Sequence, residues 1–198
     1  MASLYYQGHG SYRITGFGNF VIYVDPFAGD GYDKPADYVL ITHEHFDHNK
    51  TELVKLKPEG RILRAMDFLR GGTHGTYQNG YLKVQAVPAA NKNHDPSLCV
   101  GYIITLDGVT IYAAGDTSRT EFMEQMADMK LDYAILPIDG YYNMGIEEAS
   151  ECAELIGAKH CIPVHMVPDA AELFDPGKAT LFEGPGKIVV KPGEEIEL

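Results

Sequence analysis

The stretch His43-Glu44-His45-Phe46-Asp47-His48 decides the fold, because it places four potential metal ligands within six residues. Neutral imidazole and carboxylate groups bind Zn²⁺ and similar divalent cations. Side chains alternate along an extended backbone, so His43 and His45 can point to the same side. Asp47 and His48 are adjacent and point in different directions, which suits them better to a second ion than to the first. The motif therefore predicts a metal centre with room for two ions.

The motif follows the run Tyr38-Val39-Leu40-Ile41, an uninterrupted apolar segment typical of a strand that is covered on both faces. Three further potential ligands, His94, Asp116 and His165, lie where the pattern places the carboxyl ends of other strands. Open α/β sheets put their ligand sites at that edge. A lone His or Asp at a strand end is usually structural, but three at the same edge as the motif favour ligation.

The two halves of the chain share one order of predicted elements. Each half has a hairpin that ends in an aspartate (Asp25, Asp116), followed by a buried strand that starts with Asp-Tyr and then by a helix. This weak internal duplication predicts two packed sheets with helices outside. The elements predicted in sequence order are a hairpin over 12–24, a helix over 49–57 ended by Pro58 and Gly60, a hairpin turn at Asn79-Gly80, strands 100–106 and 109–114 joined at Asp107-Gly108, helical spacing over 122–129, a strand over 131–137, a helix over 146–156, a strand over 160–164 and a short polar tail.

The order H-x-H-x-D-H, then His, then Gly-Asp, then His resembles the metallo-β-lactamase superfamily over essentially the whole chain. Within it, the sequence is similar to a small branch of cytosolic metal-dependent hydrolases that includes relatives of a sugar-phosphate lactonase. Shorter stretches add support: Gly8-His9-Gly10-Ser11, Asp25-Pro26, Ala114-Gly115-Asp116-Thr117, Leu136-Pro137-Ile138-Asp139-Gly140 and Asn143-Met144-Gly145. The resemblance implies a single α/β domain over residues 1–198, folded as a four-layer αββα sandwich.

The resemblance also implies a dinuclear centre of two divalent ions, zinc or alternatively Mn, Ni or Fe. Carried over by position, the first ion takes His43, His45 and His94, the second takes Asp47, His48 and His165, and Asp116 bridges both. Two such ions about 3.5–4 Å apart can share a water and lower its pKa toward 7. A bridging hydroxide would then attack a carbonyl or phosphoryl centre of a small anionic metabolite, such as a lactone or a phosphodiester. Asp47 and Asp116 are the expected catalytic residues, and Asp47 can orient the nucleophile or carry its proton.

Several other polar residues have open roles. His9 is either a group that supports the site or a satisfied structural histidine, and Asp25 is a candidate for hydrogen bonding to a ligand histidine. Tyr141, Tyr142 and Asn143 follow a strand and either line the substrate rim or pack as ordinary loop residues. Asp95 is expected to support the site or lie on the surface. His74 and His160 are expected to take no part.

Composition separates the competing functions. The net charge of −12, only five arginines and no basic run disfavour an RNA-processing nuclease of the same superfamily. The di-iron oxidoreductase branch generally carries Glu where this chain has His45, and the complete ligand set disfavours a scaffold that has lost its metal. The three cysteines, Cys99, Cys152 and Cys161, are predicted to be free buried thiols without a nucleophilic role.

Cellular context is read from what the chain does not contain. No secretory signal and no apolar run long enough for a bilayer are visible, so we expect a cytoplasmic enzyme with no membrane contact. A small molecule is the expected partner. The short chain leaves open a homo-oligomer in which a neighbouring copy completes the pocket.

Overall fold

The computed structural model describes residues 2–168 and 172–198. In these two ranges the chain forms fourteen strands, namely β1 (Ser3–Gly8), β2 (Ser11–Gly16), β3 (Phe20–Val24), β4 (Ala36–Ile41), β5 (Leu56–Arg64), β6 (Leu69–Arg70), β7 (Thr73–His74), β8 (Thr76–Asn79), β9 (Leu82–Pro88), β10 (Val100–Leu106), β11 (Val109–Ala113), β12 (Tyr133–Pro137), β13 (His160–Val164) and β14 (Glu195–Glu197). The α-helices in the same ranges are α1 (Ala65–Phe68), α2 (Met123–Met126), α3 (Ile146–Ile156) and α4 (Pro176–Leu181). No helix in these ranges is long and apolar enough to cross a membrane.

Two six-stranded mixed sheets organise the molecule. Their strand orders are β14-β1-β2-β3-β4-β5 and β13-β12-β11-β10-β9-β8. In the first half, β2 and β3 form an antiparallel hairpin and β4 joins β3 in parallel. In the second half, β10 and β11 form the hairpin and β12 joins β11 in parallel. The repeated order of elements in the sequence therefore corresponds to a repeated topology.

Apolar side chains divide into three layers around these sheets. The largest cluster lies between the sheets and takes residues such as Leu40 from the first and Ile104 from the second. Helices α2 and α3 cover the outer face of the second sheet with residues such as Met126 and Ile156. Val54, which follows a 3₁₀ turn at Thr51–Leu53, packs on the outer face of the first sheet. This confirms the predicted α/β sandwich of the metallo-β-lactamase type.

Several local predictions match the structure closely. Helix α3 spans the predicted residues 146–156, and β13 spans the predicted 160–164. Asp107 and Gly108 both have positive φ (53° and 84°), as their turn between β10 and β11 requires. The turn near Asn79-Gly80 lies one residue later than predicted, because Asn79 pairs with Leu82 as the last residue of β8.

The predicted helix over residues 49–57 is wrong. The chain forms only the 3₁₀ turn Thr51–Leu53 there, and β5 then runs through Pro58 and Gly60, the two predicted helix terminators. β5 is the outermost strand of the first sheet, where a proline can lose its N–H without breaking a ladder between two neighbours. The pairing of β5 with β4 is irregular between Ala36 and Tyr38.

The predicted polar tail after His165 is also wrong. It contains α4, which begins at the N-cap Asp175, and β14, which pairs with β1 at the edge of the first sheet. Phe182 and Val190 are fully buried. Isolated apolar residues between prolines and glycines have no periodicity, so the sequence pattern does not reveal that the tail completes the core.

Candidate metal centre

The ends of several strands assemble the candidate site at one edge of the sandwich. Side chains that reach it come from the residues just after β1, β3, β4, β9, β11 and β13, which are His9, Asp25, the motif 43–48, His94, Asp116 and His165. Six of the eight histidines in the sequence meet there. This arrangement agrees with the expectation that the potential ligands lie at the carboxyl ends of strands.

Two of the three groups of potential ligand atoms share no residue, and the third, Asp25, His43 and His48, takes one histidine from each of the other two. In one group, His43, His45 and His94 each offer a nitrogen, and all these atoms lie within 4.8 Å of one another. In the other, His9, Asp47, His48 and His165 offer atoms within the same limit. The structure thus brings together all six residues assigned to separate ions from sequence, in the two predicted sets, and adds His9 to the second.

Asp116 lies between the two groups. Its Oδ1 is 3.3 Å from Nε2 of His48. Its Oδ2 is 3.3 Å from Nε2 of His94 and 3.5 Å from Nε2 of His165. One carboxylate therefore contacts histidines of both groups, as a bridging ligand would.

A close approach of two loops places Asp116. The preceding Gly115 has φ of 63°, and a Cβ there would lie 2.8 Å from Cβ of Thr42. A larger residue would push the Asp116 loop away from the motif. The absence of a side chain at Gly115 therefore allows the two loops to approach closely.

Asp25 orients two of the candidate ligand histidines at once. Its Oδ2 accepts a hydrogen bond from Nδ1 of His48 at 2.9 Å and another from Oγ1 of Thr42 at 2.5 Å. The same Thr42 oxygen lies 3.0 Å from Nδ1 of His43. Fixing the Nδ1 side of each ring leaves Nε2 facing the cluster, which is the arrangement that metal-binding histidines use. Asp25 therefore makes the hydrogen bond to a candidate ligand histidine that the sequence suggested.

A second set of polar side chains connects His94 with His165. Oδ1 of Asn91 lies 2.8 Å from Nδ1 of His94, and Nδ2 of Asn91 donates to Oδ1 of Asn143 at 3.1 Å. Asn143 in turn donates to Oδ2 of Asp139 at 2.7 Å, and that oxygen lies 3.4 Å from Nδ1 of His165. These groups, of which Asn91 is half-buried and the others are buried, join one candidate ligand of each set through a continuous series of contacts. We call it the Asn91–Asp139 chain.

His9 supports the second group. Its Nε2 lies 3.0 Å from Oδ2 of Asp47, and its ring centroid is 3.7 Å from that of His165. The backbone N–H of His165 donates to the carbonyl of His9 at 2.8 Å. His9 is fully buried, so it acts on the site through Asp47 and His165 and does not face solvent.

The electrostatics of the cluster favour the ligand forms of most of these groups. Burial lowers the pKa of His43 well below its ordinary value and that of His165 to about 4, so both rings are neutral at pH 7. Burial opposes ionisation of Asp116, but His165 and His48 hold its pKa well below the usual range. Burial likewise lowers the pKa of His48, yet the carboxylates of Asp116 and Asp25 raise it to about 9. A metal ion bound through His48 would therefore displace a proton from it.

Unpartnered buried atoms test whether a metal fits. Nε2 of His43, His48 and His165 and Oδ1 of Asp116 are buried and have no hydrogen-bond partner. Leaving such groups unpaired costs about 1–3 kcal/mol each, so native proteins avoid it unless another species satisfies them. All four atoms face the cluster, and nitrogen and carboxylate donors suit Zn²⁺, Mn²⁺, Ni²⁺ or Fe²⁺. The residues fit a metal centre.

The remaining sequence candidates are not among the grouped ligand atoms. His74 is in β7, His160 contacts the carbonyl of Gly186 at 3.1 Å, and Asp95 accepts hydrogen bonds from Ser97 on the surface. Tyr142 lines a pocket beside the cluster, whereas Asn143 is buried in the Asn91–Asp139 chain. Sequence reasoning assigned no role to Asp139 or Asn91. The available indication was that Asp139 closely follows a buried strand, β12, as the candidate ligands follow theirs.

The three cysteines are free and buried, as predicted. Burial raises the pKa of Cys99 and Cys152 to about 11 and that of Cys161 to about 12. A thiol with such a pKa is not a nucleophile at neutral pH. Chemistry at the site therefore depends on the histidines and carboxylates.

A two-sheet sandwich with clustered histidines and aspartates at the strand ends defines a metallohydrolase class of fold and site. Residues 3–165 match the family described as the beta-lactamase superfamily domain. The chain belongs to the metallo-β-lactamase superfamily, and it is a metal-dependent hydrolase.

Relatives agree with this placement. The chain is 30% identical to a UPF0173 metal-dependent hydrolase of Pyrococcus furiosus, with 100% of both chains covered. It is 34% identical to a UPF0173 metal-dependent hydrolase of Methanoregula boonei over 82% of this chain and 81% of that one. The solved structure of Igni18, a metallo hydrolase from Ignicoccus hospitalis, has the same fold at 24% identity, with a TM-score of 0.75 and 98% and 97% of the two chains covered.

Proposed function

We propose that this hydrolase holds two divalent cations, zinc in the first instance, and cleaves a carbonyl or phosphoryl ester of a small molecule, such as a lactone or a phosphodiester. The observation that carries the proposal is the position of Asp116, whose two oxygens lie 3.3 Å from His48 and His94 in different ligand groups. A single metal ion would need only one of the two groups of ligand residues, and the second group would then have no function in metal binding. Three protein ligands and a shared carboxylate for each ion suit a two-metal hydrolase.

The proposed ligands divide as the two groups do. His43, His45 and His94 would hold one ion, Asp47, His48 and His165 would hold the other, and Asp116 would contact both. Two divalent ions supply hydroxide at neutral pH by lowering the pKa of water, and they polarise the oxygen of the group under attack.

Asp47 is the residue placed to orient the attacking water. Its Oδ2 is engaged by His9, which leaves Oδ1 free to accept a hydrogen bond from water. Asp47 and Asp116 line the same pocket, and Asp47 is the more exposed of the two, at 17% against 5%. His9 would keep the Asp47 carboxylate in one orientation while substrates enter and products leave.

The test is a substrate screen with the metal-loaded protein. Lactones, carboxyl esters, thioesters and phosphodiesters would be assayed after incubation with zinc or manganese and again after chelation. We expect hydrolysis of at least one class, its loss on chelation, and its recovery when the metal is restored. Activity that persists without metal, or hydrolysis of none of the four classes, would contradict the proposal.

A further inference from the structure

Two pockets open onto the proposed metal ligands, and the His45–His94 pair belongs to the walls of both. The Phe46 pocket has a volume of about 300 Å³ and is lined by ligand side chains together with Phe46, Asn93, Tyr142 and Pro168. The Met66 pocket has a volume of about 240 Å³, and its non-ligand walls include Ala65, Met66, Leu98 and Cys99. His45, Asn93 and His94 line both pockets, so a molecule that reacts at the ligands can extend into each.

The walls of both pockets offer apolar surface. Phe46, Met66 and Leu98 are 68%, 58% and 54% exposed, although large apolar side chains are normally buried. With Tyr142, they account for four of the ten large apolar side chains that are exposed in the described parts of the chain. Exposed apolar residues scattered singly need no explanation, but a group of them around a reactive centre marks a binding surface.

The charged side chains of the pocket walls also favour an uncharged ligand. No lysine or arginine is among the described residues that line either pocket. Glu44 in the Met66 pocket is already paired with Arg64, whose Nη1 lies 2.8 Å from both carboxylate oxygens. The carboxylate of Asp95 accepts hydrogen bonds from Ser97. An anionic group placed beyond the reacting centre would therefore meet no cationic side chain on these walls.

We propose that the substrate is a small ester with uncharged, apolar groups on both sides of the scissile bond, one in the Phe46 pocket and the other in the Met66 pocket. This inference rests on the proposed function and narrows it. Any negative charge would be confined to the reacting centre itself, as in a phosphodiester with apolar arms. A sugar phosphate, whose charge lies away from the scissile bond, is excluded by the same reasoning.

The first experiment measures kcat/KM on the metal-loaded protein with two series of carboxyl esters. One series lengthens an unbranched acyl chain from two to six carbons, and the other ends chains of the same length in a carboxylate. Burial of one methylene favours binding by about fourfold, so kcat/KM should rise by about that factor per carbon until the pocket is full. The carboxylate-ended esters should react at least tenfold more slowly. A flat response to chain length, or a preference for the charged series, would overturn the inference.

Two variants assign the pockets. Leu98→Arg adds a cation to the Met66 pocket and Tyr142→Arg adds one to the Phe46 pocket, and neither residue is a proposed ligand. We expect one variant to prefer esters with carboxylate-ended acyl groups over esters with neutral acyl groups. The other variant should prefer esters with carboxylate-ended alcohol groups over esters with neutral alcohol groups. Leu181→Arg, which changes a 66% exposed residue of α4 that lines neither pocket, is the matched control and should leave both preferences unchanged. Equal effects of all three variants would also overturn the inference.

A binding measurement separates this inference from the proposed function. If no ester, lactone, thioester or phosphodiester is hydrolysed, the proposed function fails, and binding of neutral hexanamide to the metal-free protein still tests the pockets. Ligand-observed NMR should show hexanamide binding that is stronger than that of acetamide and at least fivefold weaker in one of the two arginine variants. Absence of hexanamide binding would contradict the apolar pockets independently of any catalysis.

Discussion

At the scale of single residues, the most informative position is Asp25. One carboxylate holds His48 directly and His43 through Thr42, so it fixes a ligand of each proposed ion. Asp25 also has φ of 45°, in the left-handed region, as His9 and His165 do with φ of 54° and 45°. Such backbone costs a non-glycine residue about 1–2 kcal/mol. The fold accepts this strain at three residues that directly follow strands and face the cluster.

Replacing Asp25 with asparagine tests its positioning role. Asparagine tolerates the left-handed backbone and can still accept from the Thr42 amide, so the fold should survive. The loss of the carboxylate should weaken metal affinity by about 10–100-fold, as removal of a group that supports a ligand does. Competition with a chromophoric chelator measures the affinity. Asp30→Asn, at an exposed position on the following loop, is the control, and equal affinity in all three proteins would show that Asp25 does not position the ligands.

At the scale of elements, the loop after β12 connects the two halves of the site. Asp139 accepts hydrogen bonds from the backbone of Tyr141 and Tyr142 at 2.6 and 2.7 Å, which shapes the loop. Its other oxygen binds Asn143 and faces His165. The same loop therefore orders the Asn91–Asp139 chain and presents Tyr142 to the Phe46 pocket.

Asn143→Ala should break the Asn91–Asp139 chain in the middle. Without the amide, Asn91 and Asp139 lose their link, and the rings of His94 and His165 lose a fixed orientation. We expect metal affinity to fall by about tenfold. Tyr141→Ala, on the same loop with its side chain exposed, should keep the affinity of the parent protein. If both variants bind metal equally well, the chain of contacts has no positioning role.

The start of β12 depends on a different aspartate, far from the ligands. Asp132 accepts hydrogen bonds from the amide and hydroxyl of Thr110, each at 2.8 Å, and from Lys159 at 2.7 Å. It thereby links the segments around β11, β12 and β13. Burial raises the pKa of Asp132, but the bonds from Lys159 and Thr110 outweigh it and leave the pKa below the ordinary value.

Asp132→Asn should lower the free energy of unfolding by about 1 kcal/mol at pH 6. Because the folded-state pKa is depressed, this contribution is present above the unfolded-state pKa of about 3.9 and is lost as the pH falls through the lower folded value. Urea denaturation at pH 6 and pH 3 should therefore show a difference between the two proteins that shrinks at pH 3. Asp128→Asn, at an exposed position, should change neither value, and a difference that grows toward pH 3 would contradict the assignment.

The elements that the sequence predicts well are those with local causes. Helix α3 has its apolar spacing and a glycine on each side, and the Asp107-Gly108 turn has the two positive φ angles that its dipeptide favours. Pro58 was interpreted wrongly as the end of a helix, because its position in an edge strand depends on how the strands assemble into the sheet. The Asn91–Asp139 chain was equally out of reach, since Asn91 and Asn143 meet only when β9 and β12 are packed in one sheet.

At the scale of the whole molecule, the proposed ligands extend from His43 to His165 and come from both sheets. The site therefore exists only when the sandwich is formed, and the two halves of the chain each supply one aspartate at its centre, Asp25 and Asp116. Their equivalent positions in the repeated topology were visible in the sequence. Their different roles were not, because the contacts of Asp25 with Thr42 and of Asp116 with both histidine groups depend on the packing of the sheets.

The net charge of −12 counts the protein without bound metal ions. Two dications would reduce it to about −8 and concentrate positive charge at the reacting centre. The acidic surface still disfavours nucleic acid, and the pocket walls without lysine or arginine add to that argument. Substrate selection then depends on the fit of apolar groups beside the metal ligands.

The most direct test of the central claim is the metal content of the purified protein, measured by elemental mass spectrometry after removal of loosely bound ions. We predict two divalent ions per chain in the parent protein and no more than one in Asp116→Ala, because each group of ligands loses its shared carboxylate. Asp95→Ala, beside His94 but outside the ligand set, should retain two. A folded parent protein that binds no metal, or an Asp116→Ala variant that still holds two ions, would contradict the dinuclear centre.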